Sequence, residues 1–368
     1  MKILILANND VGLYKFRREV IEALVAASHT VYICLPEGSY ISQLEEIGAT
    51  FIRCDLLDRH GTNPIKDLAL YSWYKKIIRQ YCPDIVFTYT IKPNVYGGAA
   101  CANLRIPYVV NVTGLGTAVE NGGAIQQVTL VLYKYGLRKA QKVFFQNTEN
   151  RDFMLKYKVV KKKYDLLPGS GVNLIQYRCL PYPTDEIINF VFAARVMKEK
   201  GIDQYLEAAK EIRKRHPKTR FHICGFCEEN YQEKLESLEN QEIIIYHGMV
   251  SDMTQIYREA ACTVHPTYYP EGLSNVLLES AASGRPIITT NRSGCREVVD
   301  DGINGYVVEE KSSQDLIDKI EMFLAKSVEE RKAMGLAGRA KVEKEFDRRI
   351  VVRKYLDCLL YTSPSPRD

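Results

Sequence analysis

The sequence predicts an α/β protein made of two Rossmann-like, doubly wound parallel-sheet domains facing a central cleft. Three observations predict it. The chain has 368 residues, beyond the size at which a single hydrophobic core stops growing. Short apolar runs alternate with amphipathic helical runs from the first residue onward. The alternation then stops at a proline-rich stretch and starts again.

The first domain is read over 1–174. It opens with KILILA, a helical run YKFRREVIEALVAAS with Phe16, Val20, Ala23, Leu24 and Ala27 on one face, and then TVYICLP, which is a βαβ unit. TFIRCDL, the helix around LALYSWYKKIIRQY, DIVFTYT, PYVVNVTG, KVFFQNT and YDLLPG continue the series, giving a parallel sheet covered on both faces. Residues 175–188 have two prolines within three residues and no usable periodicity, and are read as a linker.

The second domain, 189–345, runs through NFVFAAR, GIDQYLEAAKEIRKRH, FHICGF, EIIIYHGM, DMTQIYREA, CTVHPTYY, NVLLESAAS, PIITTN and GYVVEE. The last helical runs contain no strands. They are expected to cap the second domain, with 346–360 reaching back to the first. Residues 361–368, YTSPSPRD, are read as a disordered tail or an artefact.

Composition narrows the function. Hydrophobic residues at 46% and charged residues at 26% are ordinary globular values, excluding a disordered or fibrous chain. No apolar run approaches the roughly 18 residues of a spanning helix, so a cytoplasmic location is expected. The ten cysteines are scattered through strand-like runs, which argues against a disulfide framework. Cys224 and Cys227 have metal or redox spacing, but no second pair completes a zinc site, and they are read as a strand end and a turn. The net charge of +5 is uneven: residues 1–175 carry 22 Lys and Arg against 14 Asp and Glu, whereas the remainder is acidic by 3. A basic first lobe, densest at KYKVVKKKY (156–164), points to an anionic partner such as a membrane surface or a lipid-linked diphosphate. No nucleic-acid motif is present.

In doubly wound sheets, ligands bind outside the carboxyl ends of the strands. After the first strand, NNDVGLY offers only Gly12 before the first helix, where a dinucleotide fingerprint needs three glycines, so a dehydrogenase is disfavoured. After the first strand of the second domain, AARVMKEKG places Arg195 and Lys200 at a helix entrance, a pairing suited to a diphosphate. In PEGLSNVLLESAAS, Glu271 and Gly272 lie in a turn, Ser274 stands at an N-cap position, and the helix from Asn275 presents its first amides to phosphate oxygens. Glu279, a turn into that helix, can accept both hydrogen bonds of a ribose diol, or else serves the helix dipole.

These residues carry a resemblance. EGLSNVLLE resembles the E-x7-E motif of retaining glycosyltransferase family 4, and RVMKEKG resembles its upstream Arg and Lys motif. The likeness extends from the first strand to about Leu360. It implies the GT-B fold, with a UDP-sugar held by the second domain and the acceptor mainly by the first. It further implies that Arg195 and Lys200 neutralise the donor diphosphate, with Glu271 beside the donor sugar. Glu279 then takes the ribose, and Gly272, Leu273, Ser274 and Asn275 contact sugar or phosphate. Gly248 and Met249 frame the base, and Gly12 approaches the phosphates. No DxD motif occurs, so no metal or other cofactor is expected.

FTYTIKPNVYGG (87–98) and NVTGLGTAV (111–119) resemble members that build lipid-linked glycans, including transferases acting on diacetylbacillosaminyl-diphospho-undecaprenol and others of capsule and O-antigen assembly. The resemblance implies an undecaprenyl-diphosphate-linked saccharide acceptor, a peripheral place on the inner membrane face, and acceptor contacts from Lys15, Arg18, Thr90, Lys92, Thr113 and Gly114. The family often carries a histidine in one of these loops, where Tyr89 and Thr90 stand here. Rival readings are a UDP-sugar 2-epimerase of the same architecture and a non-catalytic sugar-nucleotide-binding subunit.

Overall fold

A computed structural model describes residues 1–57, 63–116, 119, 122–184 and 186–360. The tail 361–368 lies outside the described residues. The chain divides into two compact units, Met1–Gly171 together with Arg348 onward, and Val172–Asp347.

The first unit holds seven strands: β1 (Lys2–Leu6), β2 (Thr30–Leu35), β3 (Ala49–Arg53), β4 (Ile85–Tyr89), β5 (Tyr108–Val112), β6 (Lys142–Phe145) and β7 (Tyr164–Leu166). All pair in parallel, in the order β3-β2-β1-β4-β5-β6-β7. The central strands are buried on both faces, which is why IVFTY and YVVNV read as continuous apolar runs rather than alternating ones. The first helix, Asp10–Ala26, begins earlier than its apolar periodicity suggests. Asn9 caps it by accepting from the Gly12 amide at 2.6 Å, so Gly12 lies within the first helical turn rather than in a loop before it.

The closing helix, Arg348–Leu360, packs in this unit and buries Tyr355 against Phe87, Tyr89 and Phe144. Beside it, four buried polar side chains satisfy one another. Thr88 donates to Asn94 at 2.7 Å, Asn94 donates to the Asn111 carbonyl at 2.8 Å, Asn111 donates to the Thr88 carbonyl at 3.1 Å, and the Tyr355 hydroxyl donates to Asn111 Oδ1. This network fixes the ends of β4 and β5, the strands that deliver the loops at the sheet's carboxyl edge.

The second unit holds β8 (Ile188–Ala193), β9 (Thr219–Cys224), β10 (Ile245–Gly248), β11 (Ala260–His265), β12 (Ile287–Thr290) and β13 (Gly305–Val308), again parallel, in the order β10-β9-β8-β11-β12-β13. The stretch read as a linker lies along this unit. The Leu180 amide donates to the Ser283 carbonyl, Tyr182 donates to the Ala261 carbonyl at 2.7 Å, and the fully buried Arg285 donates to the Pro181 carbonyl at 2.7 Å. Those backbone groups gain partners that periodicity cannot announce. The long helix Val328–Glu345 starts with a capping box between Ser327 and Glu330.

Candidate functional site

In the second sheet the strand order reverses between β8 and β11, so the loops leaving these two strands diverge and open a crevice at the carboxyl edge. Arg195 and Lys200 follow β8, and Glu271 follows β11. Sequence positions more than 70 apart are thereby brought to one point.

The two loops are held against each other. The Tyr268 amide donates to the Glu199 carbonyl at 2.9 Å, and the Val196 amide ties the loop after β8 to the one after β9 by donating to the Phe226 carbonyl at 2.8 Å. Gly201 follows a 3₁₀ turn, Lys198–Lys200, at φ +78°, and a Cβ there would lie 2.1 Å from the Pro266 carbonyl oxygen. Only glycine permits that approach. Gly225, at φ +150° after β9, similarly presses on the Ala194 carbonyl, where a Cβ would lie at 1.8 Å.

Within the crevice the Lys200 ammonium is paired with the Glu271 carboxylate, and both are largely buried, with side chains 8% and 20% exposed. Burial alone would raise the Glu271 carboxyl. Lys200, by charge and hydrogen bond, then His265 and Arg195, outweigh it and hold the group below its ordinary value. Arg195 pairs with Glu228; burial opposes its charge, but that partner and Tyr269 carry the guanidinium above its ordinary value. The Tyr269 ring faces both cations, with Lys200 Nζ at 4.6 Å and the Arg195 guanidinium carbon at 5.3 Å from its centroid. Burial, with Lys200 adding to it, pushes His265 down to about 3, so this imidazole is neutral at physiological pH.

The helix Asn275–Ala282 begins beside this pair. Ser274 occupies its N-cap position but makes no side-chain cap bond; its hydroxyl lies 3.4 Å from His265 Nε2, and its amide donates to the Gly294 carbonyl at 2.8 Å. The serine is therefore spent on the sheet end rather than on the helix amides. Gly272, Leu273 and Ser274 are buried in the turn, and the half-buried Asn275 has a side-chain oxygen that is itself shielded, with no hydrogen-bond partner among the described residues. Glu279 lies one turn further, about 6 Å along the axis at the usual helical rise. It is half-buried, and its charge adds to burial in raising the Tyr257 hydroxyl.

Gly248 ends β10 at φ +62°, its carbonyl accepting from the Gly225 amide at 2.7 Å, and Met249 is exposed at the same edge. Cys224 ends β9 and Cys227 sits in the following turn, near the Tyr246 hydroxyl. Among the described residues no group of three or more His, Cys, Asp or Glu side chains is placed to hold a metal ion.

In the first unit the order reverses between β1 and β4. Thr90 leaves β4 at φ +71°, a strained value for a β-branched residue, with a buried hydroxyl that has no partner among the described residues. Thr113 and Gly114, the latter at φ +150°, leave β5. Lys15 is exposed on the first helix, and Arg18 pairs with Glu22 at 3.2 Å. Lys92 is engaged locally: it donates to Asp67 at 2.8 Å, and Tyr96 donates to the other oxygen of that carboxylate at 2.8 Å.

Sequence reasoning did not find His265, Tyr269 or Glu228 as members of the crevice. HPTYYPEG carries two of them just before the motif glutamate. Glu228 has no local signal, because its proximity to Arg195 depends on β9 lying next to β8.

Residues 183–341 match the family described as glycosyl transferases group 1, and residues 12–169 match the glycosyl transferase 4-like domain. One relative is the N,N'-diacetylbacillosaminyl-diphospho-undecaprenol alpha-1,3-N-acetylgalactosaminyltransferase of Campylobacter jejuni, 26% identical across 97% of each chain. The capsular polysaccharide biosynthesis glycosyltransferase CapM of Staphylococcus aureus is 31% identical over 44% of each chain. Among solved structures, Anabaena Alr3699/HepE in complex with UDP and glucose superposes with a TM-score of 0.80, at 17% identity over 98% of this chain and 99% of that one. At that identity the likeness shows the fold.

Proposed function

We propose that this chain, which belongs to the GT-B glycosyltransferases, moves a hexose or N-acetylhexosamine from a UDP-sugar to an undecaprenyl-diphosphate-linked saccharide, with retention at the anomeric carbon and without a metal. The observation that carries the reading is the buried Lys200 ammonium beside Arg195 at the switch point of the second sheet, next to the start of the helix Asn275–Ala282.

Breaking the bond between the anomeric carbon and the diphosphate leaves negative charge on the departing nucleotide, and fixed cations in a water-poor site stabilise that charge most when it is fully developed. Lys200 has three donors, so it can hold Glu271 and still donate to a phosphate oxygen. Arg195 supplies a second, planar donor set. Glu271 stands beside the sugar, Glu279 accepts the ribose hydroxyls, and the amides from Gly272 to Asn275 meet phosphate or sugar oxygens. Gly248 and Met249 border the base.

The acceptor hydroxyl attacks from the face the nucleotide leaves, and its proton passes to the departing phosphate oxygen. Thr90, Thr113, Gly114, Lys15 and Arg18 are assigned to the acceptor. Lys92 joins them only by exchanging Asp67 for an acceptor phosphate.

A lipid-linked acceptor calls for an enzyme at the inner face of the plasma membrane, and the basic first lobe supports that reading. No helix among the described residues is long and apolar enough to span a membrane, so attachment is read as peripheral. Incubation with a panel of UDP- and GDP-sugars, with and without undecaprenyl-diphosphate sugars, tests the reading through nucleotide release. Release that requires acceptor separates transfer from epimerisation, which needs none.

A further inference from the structure

Two helices of the first unit leave apolar side chains uncovered in the same pattern. On Pro64–Tyr81 these are Ile65 and Leu68, and on Gly123–Leu137 they are Ile125, Val128 and Val131; each is between 60% and 80% exposed. Steps of three residues keep each set on one side of its helix. Both helices pack against the segment 93–104 between them, and Asn103 joins their surfaces, donating to the Tyr71 hydroxyl at 2.5 Å and lying 3.4 Å from the Tyr135 hydroxyl. The two stripes therefore belong to one face. Two exposed aliphatic stripes flanking one segment are more apolar surface than a free face ordinarily carries.

The face is ordered along its length. In a parallel sheet the connecting helices run from the carboxyl edge back to the amino edge. The apolar turns around Ile65 and Ile125 thus stand at the carboxyl edge, where β4 and β5 deliver Thr90 and Thr113. Cations occupy the later turns: Lys75 stacks on Tyr71, with its ammonium 5.4 Å from the ring centroid, and Arg138 stacks on Tyr135 with its guanidinium carbon at 3.9 Å, while Lys134 and Lys139 are exposed. Near this end the Asn103 hydrogen bond, against burial and with Arg138 and Lys75 adding to it, lowers the Tyr135 hydroxyl.

We propose that this face, built on the helices Pro64–Tyr81 and Gly123–Leu137, docks on an anionic bilayer, with the isoleucines, valines and Leu68 entering the headgroup boundary and Lys75, Lys134, Arg138 and Lys139 meeting lipid phosphates. The occupant is a membrane because aliphatic side chains flanked by exposed lysine and arginine match acyl chains below negative headgroups. The inference gives the proposed lipid-linked acceptor its route, resting on that reading for its purpose but not for its test. Docking by this face brings the carboxyl edge of the first sheet to the lipid surface, where a polyprenyl-linked diphosphate is presented.

The test is sedimentation of the full chain with vesicles of phosphatidylcholine mixed with phosphatidylglycerol, against phosphatidylcholine alone. The wild type binds the mixed vesicles, and high salt weakens binding. Val128→Asp with Val131→Asp weakens it by about tenfold or more, and Lys134→Ala with Arg138→Ala removes about half of the salt dependence. Both variants keep the wild-type melting temperature, because the altered side chains are exposed.

Equal vesicle binding by wild type and Val128→Asp/Val131→Asp, or no binding by the wild type, overturns the proposal. So does a wild-type dimer that does not bind vesicles and that the aspartates convert to a monomer, since the face then belongs to a second copy. A wild type that binds vesicles but releases no nucleotide from any donor leaves the docking face standing and removes the transferase reading.

Discussion

Replacing Lys200 with methionine removes the ammonium while keeping an unbranched chain of similar length. The partner left behind is Glu271, a carboxylate in the crevice whose side chain is only 20% exposed. Removing one member of a buried ion pair costs about 3 to 5 kcal/mol, because the other charge stays desolvated without its partner. The fifth of Glu271 that still meets solvent puts this case near the low end, about 3 kcal/mol. In the wild type the Glu271 carboxyl is held below its ordinary 4.5, so its stabilising share is present above that value and is lost as pH falls through the folded one.

In Lys200→Met, burial becomes the dominant influence and raises the carboxyl. The destabilisation is then full at neutral pH and is relieved as pH falls through the raised value. Urea unfolding at pH 7 and pH 5 reads both effects. Lys200→Met/Glu271→Gln, which removes both charges, returns to within about 1 kcal/mol of wild-type stability and remains inactive in nucleotide release. Full turnover by either variant would refute the assignment of Lys200 to the donor diphosphate, and a single variant as stable as wild type would refute the buried pair.

Glu279→Gln raises the donor KM by about tenfold or more, the loss of roughly 1.5 kcal/mol from charge-assisted hydrogen bonds to the ribose, with kcat changing less; steady-state kinetics at saturating acceptor reads the split. His265 is fully buried and held at about 3, against 6.5 when exposed, so the unfolded chain takes up a proton that the native site refuses. Stability therefore falls by about 1.4 kcal/mol per pH unit below 6.5 from this group, and His265→Asn flattens the slope between pH 6.5 and pH 5 in denaturant titrations. Tyr355→Phe leaves Asn111 Oδ1 buried without its donor, costing about 1 to 2 kcal/mol, seen as a lower melting temperature.

Much of the architecture was legible because each strand of a parallel sheet must be apolar on both faces and each crossover helix on one, a pattern that KILIL, IVFTY and YVVNV display without ambiguity. The restart at NFVFAAR announced the second sheet. At the candidate site, Lys200 in VMKEKG and Glu271 in YYPEGLS stand out as charges beside turns, and the fold makes them partners. Less legible were features decided by neighbours in space. Gly12 reads as a loop glycine until Asn9 is seen to cap the helix around it. Residues 175–188 read as a linker because their hydrogen bonds go to the Ser283 and Ala261 carbonyls and to Arg285, none of them local. Lys92 looks free for an acceptor until the helix carrying Asp67 folds beside it.

Departure of a nucleotide diphosphate at the Lys200 and Arg195 crevice is tested most directly by nucleotide release from a panel of UDP- and GDP-sugars with and without an undecaprenyl-diphosphate-linked saccharide. Release is expected from a UDP-sugar only when the acceptor is present, undiminished by chelator and lost in Arg195→Ala. Absence of acceptor-dependent release from every donor, or undiminished release in Arg195→Ala, would contradict this assignment.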